Sequence, residues 1–159
     1  ASDVYKRQAF VVAHFHYIVF GGTGFAFFAA IHYWFPKIYG RMYDKSWANI
    51  GWLVFTIGFL ALYSPMFYLG MLGMPRRYYD YLPEFHGGNI LSTFGSWIMV
   101  TGFIIVLVNL IRSAKNGEPA GKNPWNSKTL EWTVPSPPPL LNFDEEPIIG
   151  DKDGPYNYE

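Results

Sequence analysis

Three long stretches without a charged side chain dominate the pattern of hydrophobic and polar positions along this chain. They cover residues 9–35, 46–75 and 86–111. A helix of about 20 apolar residues crosses the hydrocarbon core of a bilayer, so each stretch is long enough. None shows the polar stripe that a soluble amphipathic helix presents at its helical period. The pattern therefore predicts an all-α membrane protein whose three transmembrane helices span roughly 9–35, 46–73 and 89–112.

The segments around these helices have other compositions. Residues 1–8, ASDVYKRQ, match neither the apolar stretches nor the tail, and we interpret them as non-native, adapter-derived sequence. Pro36 and Gly40 predict a short loop after the first helix, and Pro65 predicts a kink in the second. Residues 113–159 are polar and proline-rich, which predicts an extended tail that lies along a surface and lacks regular structure over most of its length.

The cations predict the orientation of the helices in the membrane. They cluster in the first loop and after the third helix, at Lys37, Arg41, Lys45, Arg112 and Lys115. Because cytoplasmic loops are enriched in Lys and Arg, both places are predicted to be cytoplasmic, and so is the tail. The loop 76–85 is then on the outer face, together with the start of the first helix. Arg76 and Arg77 in this loop break the charge rule and require a specific reason.

The charge balance and the absence of cysteine exclude several classes of function. Twelve cationic and 12 acidic side chains leave no net charge that would recruit nucleic acid. Without cysteine there can be no disulfide framework, thiolate zinc site, iron–sulfur cluster or covalent c-type haem.

Two histidines in the motif AHFHY are the first candidates for site chemistry. In an α-helix, His14 and His16 point roughly 200° apart, so they cannot bind the same ion. Each suits a separate cofactor, such as a haem iron, with the two irons on the order of 15 Å apart. Arg76 and Arg77 on the same face could then neutralise haem propionates. The alternatives are histidines that only pack, and arginines that bind water or lipid phosphate.

The motifs VVAHFHY, HYWFP, GMPRRYYDY and TLEW…SPPP together resemble the C-terminal third of subunit I of the haem–copper oxidases, in the cytochrome c oxidase branch. The resemblance covers residues 9–159. It implies a fragment of a twelve-helix fold, in an enzyme that reduces O2 to water with electrons from cytochrome c and couples this to proton translocation. Tyr17 and Pro75 are similar to the cytochrome c branch, whereas quinol oxidases tend to show HFHN and MTRR.

The resemblance also implies roles for individual residues. His14 resembles the ligand of the high-spin haem, His16 a ligand of the low-spin haem, and Arg76 and Arg77 the pair that contacts the propionates. Two haems, of the a type, and copper are the implied cofactors. The copper ligands and the second low-spin ligand are expected upstream, so the chain alone is expected to be inactive.

The implied partners are the remainder of subunit I, subunits II and III, cytochrome c and the lipid bilayer of the inner (plasma) membrane, with no nucleic acid. We expect His32 to pack at the membrane interface and His86 to help start the third helix, and we assign neither a metal.

Two other classes of function stay open at this point. A b-type electron-carrying membrane cytochrome would also use histidine ligands, but would normally place them on two helices of its own. A membrane anchor without redox chemistry would only pack its histidines. A haem absorption spectrum of the full-length protein separates both from an oxidase.

Overall fold

Three long helices carry the fold, and residues 8–143, the part of the chain that the computed structural model describes, contain no β-strand. Helix α1 is Ala9–Tyr39, α2 is Lys45–Met71 and α3 is His86–Asn116. Short 3₁₀ turns occur at Pro83–Phe85 and Leu130–Trp132. Each long helix has the length and composition to cross a membrane, which confirms the predicted fold class. Residues 1–7, most of the segment interpreted as adapter-derived, and 144–159 lie outside the described residues.

Helix α1 changes its hydrogen-bond pattern along its length. Ala9–Phe15 and Phe25–Tyr39 are α-helical, whereas His16–Gly24 between them is a π-helix. The wider π pattern is rare, is usually a single turn, and frequently occurs at functional sites. Here it begins at one of the two candidate histidines.

The predicted end of the first helix at residue 35 is wrong, because α1 continues through Pro36 to Tyr39. A proline inside a helix removes one backbone hydrogen bond, but its fixed φ is compatible with helical geometry. The helix ends instead at Gly40, whose φ of 66° is the left-handed conformation that commonly terminates helices. A Cβ at this position would lie 2.8 Å from Cδ of Pro137, so a side chain would also not fit.

The other two helices were predicted more closely. Helix α2 agrees with the predicted 46–73 to within two residues and contains Pro65. Helix α3 is longer than the predicted 89–112, because it begins at His86 and continues past Arg112 to Asn116. Charged residues did not end it, since cations in the last turns interact favourably with the helix dipole.

The described chain divides into two compact units, and residues 8–28 and 45–108 form the first. In this unit, glycines bring α2 and α3 into backbone contact. A Cβ on Gly58 would overlap the backbone of Met99, and one on Gly102 would lie 2.6 Å from Cα of Phe55. Such small residues let membrane helices approach closely, where dispersion rather than the hydrophobic effect drives association.

Aromatic rings hold α1 against α2 in the same unit. Ring centroids of the two helices lie 5.0 Å apart for Tyr17 and Phe59, and 4.8 Å apart for Phe28 and Phe55. Near the start of α1, a small apolar cluster forms from Ala9, Leu69, Met74 and Phe85, all buried. These contacts determine which residues surround the histidines of α1.

The second unit comprises residues 29–44 and 109–143, and its centre is a buried lysine. The Lys37 side chain is only 7% exposed. Its Nζ donates hydrogen bonds to the carbonyl oxygens of Val134 at 2.8 Å and Lys122 at 3.2 Å, and lies 4.8 Å above the ring of Trp132. Carbonyl oxygens and an aromatic face replace the water that the ammonium group loses on burial.

The tail is therefore irregular but packed. Trp132 is buried, and its indole Nε1 donates a 2.8 Å hydrogen bond to the hydroxyl oxygen of Tyr33. The ring centroid of Tyr43 lies 6.4 Å from that of Trp125, and burial raises the pKa of the Tyr43 phenol above the usual value. Apart from the turn at Leu130–Trp132, residues 117–143 form no helix or strand, as predicted for this part of the tail.

Candidate functional site

His16 lies at the first position of the π-helical segment, half-buried against α2. Its Nδ1 is 2.7 Å from the carbonyl oxygen of Val12, one turn earlier. A carbonyl oxygen can only accept, so Nδ1 carries the proton of this hydrogen bond and Nε2 of the neutral ring keeps its lone pair. Metal-binding histidines are generally oriented in this way by a second partner. His16 therefore has one ring nitrogen, Nε2, whose lone pair is available to bind a metal ion.

The faces of the His16 ring are also contacted. The ring of Tyr63 on α2 stacks on it, with centroids 4.5 Å apart and planes 18° apart. Phe15 lies 4.1 Å away at a tilt of 35°. Beside this stack, the hydroxyl groups of Tyr17 and Ser64 are hydrogen-bonded at 2.7 Å.

His14 has a different environment. Its side chain is exposed, and its described ring contact is with Phe10, at 6.5 Å between centroids. The structure does not bring the two imidazoles together on one ion. Among residues 8–143 there is also no group of three His, Cys, Asp or Glu side chains that could hold a metal ion. That each histidine serves a separate cofactor remains a prediction.

The arginine loop lies beside the first turn of α1. The backbone N–H of Ala9 donates a 2.9 Å hydrogen bond to the carbonyl oxygen of Met74, and Gln8 pairs with Pro75 in an antiparallel bridge. The loop and the start of α1 therefore share one end of this unit, which is the geometry expected from the alternation of the helices.

Arg76 is half-buried and Arg77 is exposed. The φ of Arg77 is 58°, a left-handed conformation that a residue with a side chain rarely adopts and that often marks a functional loop. Within residues 8–143, neither guanidinium group pairs with a carboxylate, including those of Asp80 and Glu84.

The two remaining histidines lie outside this arrangement. His86 is the first residue of α3, as expected, with Nδ1 3.4 Å from the hydroxyl oxygen of Tyr81. His32 is half-buried in the second unit, where its ring is edge-on to that of Tyr43 at 4.8 Å. Packing fits both of them better than metal binding.

Sequence reasoning missed Tyr63 and Ser64. They stand next to each other in the apolar stretch of α2, where two polar hydroxyl groups were a visible signal. Their proximity to His16 and Tyr17 depends on the register between two helices, which a single sequence does not reveal.

Comparison with known proteins supports the resemblance noted in the sequence. Residues 3–104 match the model of the family described as cytochrome C and quinol oxidase polypeptide I. The chain belongs to this family. Its relatives include cytochrome c oxidase subunit 1 of Bacillus subtilis, 42% identical over 143 residues, which are 88% of this chain and 23% of the relative. Heme-copper oxidase subunit I+III of Aeropyrum pernix is 43% identical over 91% of this chain and 18% of its own length.

A quinol-oxidising relative is less similar. Cytochrome bo(3) ubiquinol oxidase subunit 1 of Buchnera aphidicola is 35% identical over 92% of this chain and 23% of its own length. The chain spans about a quarter of the length of the curated relatives it matches. For the Bacillus subtilis subunit, the matched part is 23% of the relative. It is thus a part of an oxidase subunit I, an oxidoreductase family of the membrane whose cofactors are haem and copper.

Proposed function

We propose that this chain is the C-terminal part of the catalytic subunit of a respiratory terminal oxidase. The complete enzyme would reduce O2 to water with electrons from cytochrome c and couple the reaction to proton translocation across the inner (plasma) membrane. The observation that carries the proposal is the hydrogen bond from Ala9 to Met74. It holds the loop of Arg76 and Arg77 at the end of α1 that bears His14 and His16.

In this proposal each histidine would provide one ligand to a haem iron. His16, with its proton on Nδ1, would bind the low-spin haem iron through Nε2. His14, exposed on the surface of α1, would bind the high-spin haem iron. When bound, the haems, which we expect to be of the a type, supply the electron transfer and the O2-binding iron. The task of this chain is to hold the two imidazoles at separate, defined positions.

Arg76 and Arg77 would hold the haem propionates. A guanidinium group forms charge-assisted, often bidentate hydrogen bonds with a carboxylate, and a lysine would provide only a point charge. No carboxylate among residues 8–143 competes for either side chain. The strained backbone at Arg77 supports the proposal that this loop serves to position its side chains.

Several partners belong to the same proposal. Tyr17 and Pro75 resemble the cytochrome c branch, and the 42% identity with the Bacillus subtilis subunit exceeds the 35% identity with the ubiquinol oxidase. Cytochrome c is therefore the proposed donor. The copper ligands would come from the remainder of subunit I, so the chain alone would be inactive. Subunits II and III would complete the complex, with the tail on the cytoplasmic side.

Single substitutions in the full-length subunit test the two ligands. His16→Ala should abolish the low-spin haem spectrum, and His14→Ala should abolish carbon monoxide binding at the high-spin site, because each imidazole has its own cofactor. The measurements are optical difference spectra of the purified complex with and without carbon monoxide. The matched control is His86→Ala, which changes a histidine outside the arrangement and should leave both signals intact. A normal low-spin spectrum in His16→Ala, in a folded complex, would refute the assignment.

A further inference from the structure

We propose that Tyr63 and Ser64 of α2 are positioning residues that fix the orientation of the His16 imidazole. The inference rests on the proposed function, since it takes His16 to be a haem ligand. It adds that the orientation of this ligand is determined by a neighbouring helix and not by α1 alone.

The first observation is the stack of Tyr63 on His16. The near-parallel rings lie 4.5 Å apart, and Tyr63 is 9% exposed, so the phenol ring has little room to turn away. Phe59 restrains it further, with ring centroids 5.1 Å apart. The hydrogen bond from Nδ1 to Val12 fixes one edge of the imidazole, and the stack fixes its plane. Together they leave Nε2 pointing in one direction.

The second observation is the hydrogen bond between Tyr17 and Ser64, at 2.7 Å. Two consecutive residues of α1 thus face two consecutive residues of α2. If α2 slid or turned relative to α1, the hydrogen bond and the stack would be lost together. The hydroxyl pair therefore keeps Tyr63 level with His16. Both helices are long and apolar enough to cross a membrane, and polar groups inside a bilayer need partners within the protein.

The contrast with His14 gives the inference its specificity. The described ring contact of His14 is with Phe10 of α1, at 6.5 Å, and not with Tyr63 or Ser64. Changes at Tyr63 and Ser64 should therefore affect the low-spin haem and spare the high-spin haem. A general loss of stability would affect both.

The experiment compares variants of the full-length subunit in its complex. Tyr63→Leu removes the flat ring, Tyr63→Phe keeps it, and Ser64→Ala removes the hydroxyl pair. Tyr68→Leu is the matched control, because it makes the same change on the same helix at a tyrosine with no described ring contact to His16. The readouts are the electron paramagnetic resonance signal of the oxidised low-spin haem, the haem content per protein in detergent, and carbon monoxide binding.

We expect Tyr63→Leu to broaden the low-spin signal and to weaken retention of the low-spin haem by about tenfold, the lower end of the effect typical for residues that orient metal ligands. Carbon monoxide binding should stay at the wild-type level. Ser64→Ala should broaden the signal to a smaller extent, whereas Tyr63→Phe and Tyr68→Leu should match the wild type.

A wild-type signal in an assembled Tyr63→Leu complex would overturn the inference. If the Tyr63→Leu complex fails to assemble, the Ser64→Ala variant becomes the test. A wild-type low-spin signal in that variant would also overturn the inference. Equal damage in Tyr63→Phe and Tyr63→Leu would also count against it, because the stack would then not be the cause. A failure of the proposed function is distinguishable, since it would show as an intact low-spin haem in His16→Ala.

Discussion

Replacing Gly58 by alanine should destabilise the contact between α2 and α3. A Cβ at this position would lie 2.8 Å from the carbonyl carbon of Ile98 and closer still to the backbone N and Cα of Met99. Favourable carbon contacts lie at about 3.5–4.0 Å, so the helices would have to separate by roughly 1 Å. The obstacle is helical backbone and not the end of a flexible side chain, so no local rotation relieves it.

The magnitude follows from two opposing effects. Overpacking a well-packed interior typically costs about 1–3 kcal/mol, and a backbone obstacle places this site near the upper end. Alanine gains about 1 kcal/mol over glycine in helix propensity. The expected net loss is therefore about 2 kcal/mol, or roughly a 30-fold shift in the folded-to-unfolded ratio.

The assay is denaturant titration of the full-length subunit in detergent micelles, followed by tryptophan fluorescence. Gly87→Ala is the matched control, because among the described residues nothing lies within 4 Å of a Cβ built there. The control should be neutral or stabilised by at most about 1 kcal/mol through helix propensity. Equal stabilities of the two variants would refute the claim that Gly58 is needed for close helix approach.

Two further predictions concern charged side chains. Lys37→Met should speed proteolysis of the tail, because the carbonyl oxygens of Val134 and Lys122 lose a charged donor worth about 1.5–3 kcal/mol per hydrogen bond. Limited proteolysis measures the rate of cleavage, with the exposed-site variant Lys45→Met as the control. Cleavage no faster than in this control would contradict the prediction. Arg76→Gln and Arg77→Gln should each lower the haem midpoint potential in a spectroelectrochemical titration, because a nearby cation favours the reduced iron. Lysine should restore only part of the shift, and an unchanged potential in the double variant would contradict the role of the pair.

The number and type of the elements could be predicted from the sequence, because membrane insertion depends on the composition of a long segment. Their ends could not, because absence of charge marks the apolar core of a span and not the end of a helix. Helix α1 ends at Tyr39, four residues beyond the charge-free stretch, because the next residue, Gly40, adopts a positive φ. The burial of Lys37 was equally hidden, because the carbonyl oxygens that accept from it come from a distant part of the chain.

The residues of the candidate site also fall into two groups, those that the sequence predicts and those that it does not. The histidine pair and the arginine pair were visible because each is a local motif, and because alternating helices bring their segments to one face. The role of Tyr63 and Ser64 could not be predicted, because it depends on contacts between helices. The seven-residue spacing of Gly88, Gly95 and Gly102 is, by contrast, a local pattern typical of a close helix interface.

Among the described residues, His14 and His16 have different environments, which suits the proposal that they bind two different haems. The two-residue spacing is expected to direct the imidazoles to different sides of the helix, but spacing alone does not give them different surroundings. Among the described residues the difference comes from α2, which contacts the His16 ring through Tyr63, whereas the described ring contact of His14 is with Phe10 of α1. A ligand held on both its edge and its face is suited to an iron that keeps its coordination during electron transfer, because little reorganisation is then needed. The contacts of His16 therefore agree with its proposed assignment to the low-spin haem.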